Sequence, residues 1–76
     1  MTRAEFLDRV AELMEMGQGS LTGDETLEAL GWDSLCALSF IVLADEEFQL
    51  RVTGSQMRSA RSVQDLLEMV NDRISV

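Results

Sequence analysis

The chain of 76 residues has no histidine, no lysine and no proline, and Cys36 is its only cysteine. One cysteine cannot form an internal disulfide, and the absence of histidine removes the commonest general base and the commonest transition-metal ligand. Catalytic sites of the Ser-His-Asp and Cys-His types and zinc sites are therefore excluded. Catalysis by Asp or Glu alone would need a pocket, which so short a chain can hardly build.

Long apolar runs are missing as well. No stretch of about 18 apolar residues occurs, so we expect no membrane-spanning helix. Residues 1–5 lead into an amphipathic pattern with acids and not into an apolar signal segment. The default expectation is therefore a cytoplasmic location.

Positive charge is scarce and unevenly placed. The formal net charge is −8, from 14 acids and six bases, and all six bases are arginine. Residues 10–50 contain nine acids and no base. This distribution disfavours nucleic acid and anionic membranes as partners and favours proteins with basic patches. Solubility alone would explain a negative sum, but it explains the base-free stretch less well.

Apolar residues at helical spacing predict three longer helices. The first covers residues 2–16, where Thr2 and Glu5 have capping-box spacing. The second covers residues 34–48, and the third begins after Ser62, with Asp65 at the third position, and follows an apolar stripe to Ile74. A short fourth helix is predicted over residues 55–60.

Residues 17–30 predict a long connection between the first two helices. Gly17 and Gly19 are expected to end the first helix, and three leucines are expected to hold the loop on the bundle: Leu21, Leu27 and Leu30. The connection lacks the features of a phosphate-binding loop and of a calcium loop. The sequence therefore predicts one domain over residues 1–76, a small all-α four-helix bundle of three longer helices and one short helix.

The second long helix is apolar nearly all round. A turn of 100° per residue assigns five positions to the core face: Ala37, Phe40, Ile41, Ala44 and Phe48. Leu35 and Val42 fall on the polar side, where they either form a contact site or pack under a loop. Leu38, Phe40 and Ile41 are also candidates to line a cavity for an apolar cargo, although core packing is the simpler interpretation.

The stretch Gly31-Trp32-Asp33-Ser34-Leu35 joins the loop to this helix. Gly31 breaks the preceding pattern, and either Asp33 or Ser34 can cap the helix that follows. An anion esterified to the Ser34 oxygen would lie near free backbone N–H groups and the positive end of the helix dipole.

The motif Gly-x-Asp-Ser-Leu resembles the phosphopantetheine attachment motif of acyl and peptidyl carrier proteins. Residues 33–48, with their closing Asp-Glu-Glu-Phe, resemble the second helix of that family. Residues 24–31 are similar to the family's lead-in, and Ser62-Val63-x-Asp65-Leu66 is similar to the start of its last helix. The resemblance covers essentially the whole chain.

The resemblance implies a carrier and not an enzyme. A phosphopantetheinyl transferase would move 4′-phosphopantetheine from coenzyme A to Ser34, and Asp33 would help to position the serine and engage the transferase. The arm would hold acyl groups as thioesters for a ketosynthase, an acyltransferase or ligase, or other synthase enzymes. Four residues would contact the basic patches of these partners: Leu35, Val42, Glu46 and Glu47. A free carrier of this kind is expected to be a monomer.

Several positions depart from the common fatty-acid pattern: Trp32, Cys36, Ser39, Arg51, Arg58 and Arg61. These departures suggest a dedicated carrier of polyketide-type secondary metabolism, with a peptidyl or aminoacyl carrier as the alternative. A more remote alternative is an unmodified helical adaptor with an acidic face, and an enzyme that uses Glu46 or Glu47 is the least favoured. Cys36 is interpreted as a bystander, since no base lies near it in the sequence.

Overall fold

Five short to medium helices build the fold, as seen in a computed structural model that describes residues 1–74. In chain order they are α1 Arg3–Leu13, α2 Leu27–Leu30, α3 Ser34–Phe48, α4 Gly54–Ser59 and α5 Val63–Met69, and a 3-10 turn, Asn71–Arg73, follows. No β-strand occurs within these 74 residues, which contain one isolated antiparallel bridge, between Thr26 and Ser62. The predicted all-α class is confirmed.

The expected capping residues begin the helices. Thr2 and Glu5 form a reciprocal capping box at α1, and Ser62 and Asp65 form one at α5. The short helix α4 begins one residue earlier than the sequence predicts, because Thr53 accepts the backbone N–H of Gln56 as its cap. These caps satisfy backbone N–H groups that no helical carbonyl can reach.

Helix α1 ends at Leu13 and not at residue 16 as predicted. Glu15 adopts the left-handed conformation, with φ of 61°. The backbone N–H of Met16 then reaches back to the carbonyl of Ala11 at 2.7 Å and closes the helix. The stop therefore does not use Gly17 or Gly19, which lie in the loop beyond it.

Two further differences concern short elements. Helix α2 lies in the predicted long connection, where one turn of helix is too short to show a periodicity. Helix α5 ends at Met69, and Ile74 lies after the 3-10 turn and not on a continuous helix. The expected anchoring of the loop is confirmed, since Leu21 and Leu27 are buried and Leu30 is half-buried.

The core lies between α3 and its neighbours, with α1 packed against α3. The Phe6 ring lies at the centre, 6.1 Å from the ring centroids of both Phe40 and Phe48. Of the predicted core face, Phe40, Ala44 and Phe48 are buried, whereas Ala37 and Ile41 are half-buried. This packing fixes the rotation of α3 about its axis and so determines which of its residues face outward.

The isolated bridge joins two distant parts of the chain. The backbone N–H of Leu27 donates to the Arg61 carbonyl at 2.9 Å, and that of Val63 donates to the Glu25 carbonyl at 3.0 Å. The start of α2 is therefore tied to the start of α5, which holds the segment leading to α3 in place. Within residues 1–74, no helix has both the length and the apolar character needed to cross a bilayer.

Candidate functional site

Gly31 turns the chain from α2 into α3. It adopts the left-handed conformation with φ of 78°, and the next backbone N–H, that of Trp32, closes α2 on the Leu27 carbonyl at 3.0 Å. A Cβ placed on Gly31 would meet no atom within 4 Å. The glycine is therefore needed for its backbone conformation and not for space.

Asp33 is the residue that caps α3. Its backbone is extended, and its Oδ1 accepts the backbone N–H of Cys36 at 2.9 Å. This hydrogen bond to the charged form lowers the pKa of Asp33 below its ordinary value. The carboxylate is thus ionised at neutral pH and caps the helix, so the neighbouring Ser34 is not needed as the cap.

Ser34 is the first residue of α3, and its side chain is exposed to solvent. The chain contains no histidine, so it supplies no imidazole to activate the hydroxyl. An exposed hydroxyl without its own base suits a group that is modified by another enzyme. A phosphate ester at this oxygen would have room at the surface and would lie near the positive end of the α3 dipole.

A surface pocket of about 570 Å³ lies beside Ser34, between α3 and α4. Its lining is mostly apolar and comes from nine residues: Trp32, Asp33, Ser34, Ala37, Leu38, Ile41, Gly54, Met57 and Arg58. We call it the α3–α4 pocket. Of the three candidates for a cavity lining, Leu38 and Ile41 lie here, whereas Phe40 is fully buried in the core.

Leu35 and Val42 are exposed, with 70% and 49% of their surfaces accessible, and so is Leu38, with 58%. This exposure excludes packing of Leu35 and Val42 under a loop within the described residues. The three side chains follow one side of α3 away from Ser34. A row of exposed apolar residues next to acids has the character of a contact surface.

The acids at the end of α3 lie in different surroundings. Glu46 lines a groove of about 310 Å³ between α1 and α3, together with Val42, Leu43 and residues of α1. Glu47 instead forms an ion pair with Arg9 of α1, with 3.1 Å between Nη1 and Oε1. A partner could meet Glu46 directly but would have to compete with Arg9 for Glu47.

Sequence reasoning missed the exposure of Leu38 and the part played by α4. The helical wheel could have indicated the exposure of Leu38. Leu38 follows Ser34 by four residues, which at 100° per residue places it about 40° from Ser34 around the helix. No such signal exists for Met57 and Arg58, which lie more than twenty residues after Ser34 in the chain. Only the packing of α4 brings them to the pocket.

The two least typical residues of the junction take structural positions. The Trp32 ring is half-buried and lies 6.4 Å from the Phe40 ring centroid in an edge-to-face arrangement. Cys36 is half-buried, and its backbone N–H donates the cap hydrogen bond to Asp33.

Comparison with known proteins gives two findings. A family model described as the phosphopantetheine attachment site matches residues 4–70. The crystal structure of an acyl carrier protein from Thermotoga maritima, at 2.00 Å resolution, is similar in fold, with a TM-score of 0.73 and 26% sequence identity. The alignment covers 91% of this chain and 81% of that chain.

These findings agree with the resemblance drawn from Gly31 to Leu35 and with the helical architecture. The family model covers far more than half of the chain, including the whole of α3 and the α3–α4 pocket. The chain therefore belongs to the phosphopantetheine-attachment family of acyl carrier proteins: it is a non-catalytic carrier, and its cofactor is covalently attached 4′-phosphopantetheine.

Proposed function

We propose that Ser34 is the attachment point of the phosphopantetheine arm and that the protein carries acyl groups for a polyketide or fatty-acid-type synthase. One observation carries the assignment. Ser34 is exposed at the first turn of α3, while Asp33 makes the cap that a serine at that junction would otherwise make. The hydroxyl is thus presented at a fixed place on a rigid helix.

The residues around Ser34 fit the group that the family carries. The Ser34 oxygen forms a bond to the phosphorus next to the pantetheine, the phosphoanhydride bond of coenzyme A breaks, and adenosine 3′,5′-bisphosphate leaves. The transferase supplies the base that takes the hydroxyl proton, since no histidine is present in this chain. When bound, the arm supplies a terminal thiol that holds acyl groups as thioesters. The open pocket beside Ser34 leaves room for a slender chain to lie along α3.

Intact mass spectrometry tests the attachment. Incubation with coenzyme A and a broad-specificity phosphopantetheinyl transferase should add one phosphopantetheinyl group to the wild-type protein. Ser34→Ala should stay unmodified, whereas Ser55→Ala, a matched change of another exposed serine in a first helical turn, should be modified as the wild type is. An adduct on Ser34→Ala, or none on the wild type, would overturn the assignment and favour the unmodified adaptor.

We further propose that partners dock on the outer side of α3. Leu35 and Val42 would give a small apolar centre, and Glu46 would meet a basic side chain of the partner. Glu47 would contribute less than Glu46, because it is already paired with Arg9. Asp33 stays a candidate contact for the transferase.

A charge reversal tests this surface. Glu46→Lys should weaken binding to the transferase by roughly 3- to 10-fold, because a like-charge contact near the surface costs on the order of 1 kcal/mol. Glu68→Lys makes the same change on an exposed position of α5 and should have a much smaller effect. Equal losses for both variants, measured by titration calorimetry, would show that only the net charge matters.

The cargo type is a separate part of the proposal. Trp32 and Arg58 both line the α3–α4 pocket, and they are among the departures that favour a dedicated polyketide-type carrier. Mass spectrometry of the loaded protein from its native host distinguishes the cases, since an acyl load supports the proposal and an aminoacyl load favours the peptidyl carrier. The single domain over residues 1–76, the monomeric state and the cytoplasmic location stay predictions.

A further inference from the structure

The segment that contains the start of α3 is acidic. Asp33 is ionised, and no base occurs between residues 10 and 50. A phosphodiester on Ser34 would add another negative charge beside Asp33. A cation brought there by a later part of the chain would therefore interact favourably with the modified serine.

Arg58 is the cation that the fold brings to this place. It belongs to the last turn of α4 and lines the α3–α4 pocket together with Asp33 and Ser34. Its guanidinium lies back over the start of its own helix, since a Cβ built on Gly54 would lie 3.5 Å from Arg58 Nη1. Both residues line the pocket, so the charged end of Arg58 lies on the pocket side of α4.

The arginines elsewhere are differently placed. Arg9 is paired with Glu47, in the single ion pair found within residues 1–74, and Arg3 donates to the Thr22 carbonyl at 2.9 Å. Arg61 lines another pocket, of about 390 Å³, next to Thr26 and Glu28. Arg58 is thus the basic residue of the α3–α4 pocket, and it forms no ion pair with an acid in the described part of the chain.

We propose that Arg58 binds the phosphodiester of the arm carried by Ser34 and so holds the base of the arm over the α3–α4 pocket. The inference rests on the proposed attachment at Ser34. A guanidinium presents paired N–H donors whose geometry matches two phosphate oxygens, and such charge-assisted hydrogen bonds are stronger than neutral ones. Arg58 thereby acts as a positioning residue that restricts the arm without touching its thiol.

The consequence is a bias in the arm's direction. An arm held at its phosphate by Arg58 starts toward α4, across Leu38, Ile41 and Met57, and not toward α1. An arm without this contact leaves Ser34 freely into solvent. High salt should weaken the bias, because the Debye length falls to about 3 Å at 1 M ionic strength.

Nuclear magnetic resonance tests the contact without any enzyme assay on the loaded protein. The Nε–H signals of the arginines are compared in ¹⁵N-labelled protein before and after modification, together with the ³¹P signal of the attached phosphate. The Arg58 signal should shift on modification, and those of Arg51 and Arg61 should stay in place. Relative to the modified wild-type protein, the ³¹P signal should be displaced in modified Arg58→Gln but not in modified Arg61→Gln. The change in the Arg58 signal on modification should be smaller at 1 M salt.

The outcomes separate this inference from the proposed function. Intact mass shows first whether Ser34 carries the arm, and without that adduct both proposals fall. If the adduct is present and the Arg58 signal does not move, or moves no more than that of Arg61, the attachment stands and the contact is refuted. Arg58 is exposed, so its glutamine variant should fold, and far-ultraviolet circular dichroism checks this. If the variant is misfolded, the contact is still tested by the change of the Arg58 Nε–H signal when the wild-type protein is modified.

Discussion

Helices α3 and α5 both have a serine and an aspartate at their start, but a different one of the two is the cap in each. At α5 the Ser62 hydroxyl is the cap, accepting the Asp65 N–H at 3.2 Å, and the Asp65 carboxylate returns to the backbone N–H groups of Ser62 and Arg61. At α3 the carboxylate of Asp33 is the cap, and Ser34 follows it as the first helical residue. Ser62 is half-buried, whereas Ser34 is exposed.

This difference shows that a shift of one residue decides whether a serine hydroxyl is available for modification. A serine at the cap position turns its hydroxyl inward to the backbone of the next turn. A serine one position later projects from the helix. It still lies near the positive end of the helix dipole, but its hydroxyl does not make the cap hydrogen bond. The composition of the two junctions is similar, so the order of aspartate and serine separates the structural junction from the functional one.

Exchanging the two residues at α3 should have the largest effect. The double variant Asp33→Ser with Ser34→Asp keeps composition and net charge, and serine is about as good a cap as aspartate. We expect α3 to form and modification by the transferase to be lost, because the relocated hydroxyl is engaged as that of Ser62 is. Intact mass after transferase treatment measures the loss, and circular dichroism monitors the helix. Modification of the exchanged variant at the wild-type rate would show that offset does not matter.

The next largest effect separates stability from modification. Ser62→Ala should lower the free energy of unfolding by about 1 kcal/mol, since a cap hydrogen bond at a half-buried position is lost. Its modification should be unchanged. Ser34→Ala should do the opposite, changing stability by less than about 0.5 kcal/mol while it abolishes modification. Urea titration followed by circular dichroism gives both free energies, and a large destabilisation by Ser34→Ala would contradict the view that Ser34 is free of the cap.

The two junctions also show what sequence can and cannot predict. The bounds of α3 and the capping box of α5 follow from local signals, that is, from a capping residue followed by apolar residues at helical spacing. The ends of α1 and α5 do not, because a left-handed Glu15 and a 3-10 turn depend on packing. At the site, the sequence places Ser34 at the start of α3 but leaves open whether Ser34 or Asp33 caps the helix, which the structure assigns to Asp33. The position of Arg58 beside Ser34 could not be predicted, since Arg58 comes from a helix distant in sequence.

An effect on stability alone is expected at the turn that leads into α3. Gly31→Ala should destabilise the protein by about 1 kcal/mol, because an L side chain is strained at φ of 78° even in open space. Gly54→Ala is the matched control, since Gly54 lies within α4 and its Cβ would make only an ordinary contact at 3.5 Å with Arg58. That variant should be neutral or slightly more stable. Equal destabilisation by both changes, in urea titrations, would refute the conformational role of Gly31.

The smallest effect concerns the charge of the α3 cap. The Cys36 N–H lowers the pKa of Asp33 in the folded protein, so the folded pKa lies below the unfolded one. The resulting stabilisation is fully present above the unfolded pKa, about 3.9, and is lost as pH falls through the folded value. Asp33→Asn keeps a cap but has no such titration, so the stability difference between wild type and variant should shrink as pH falls below about 4. Asp33→Ser, a second neutral cap, should reproduce that pH dependence, whereas a difference constant from pH 7 to pH 3 would show that the carboxylate caps α3 without its charge contributing.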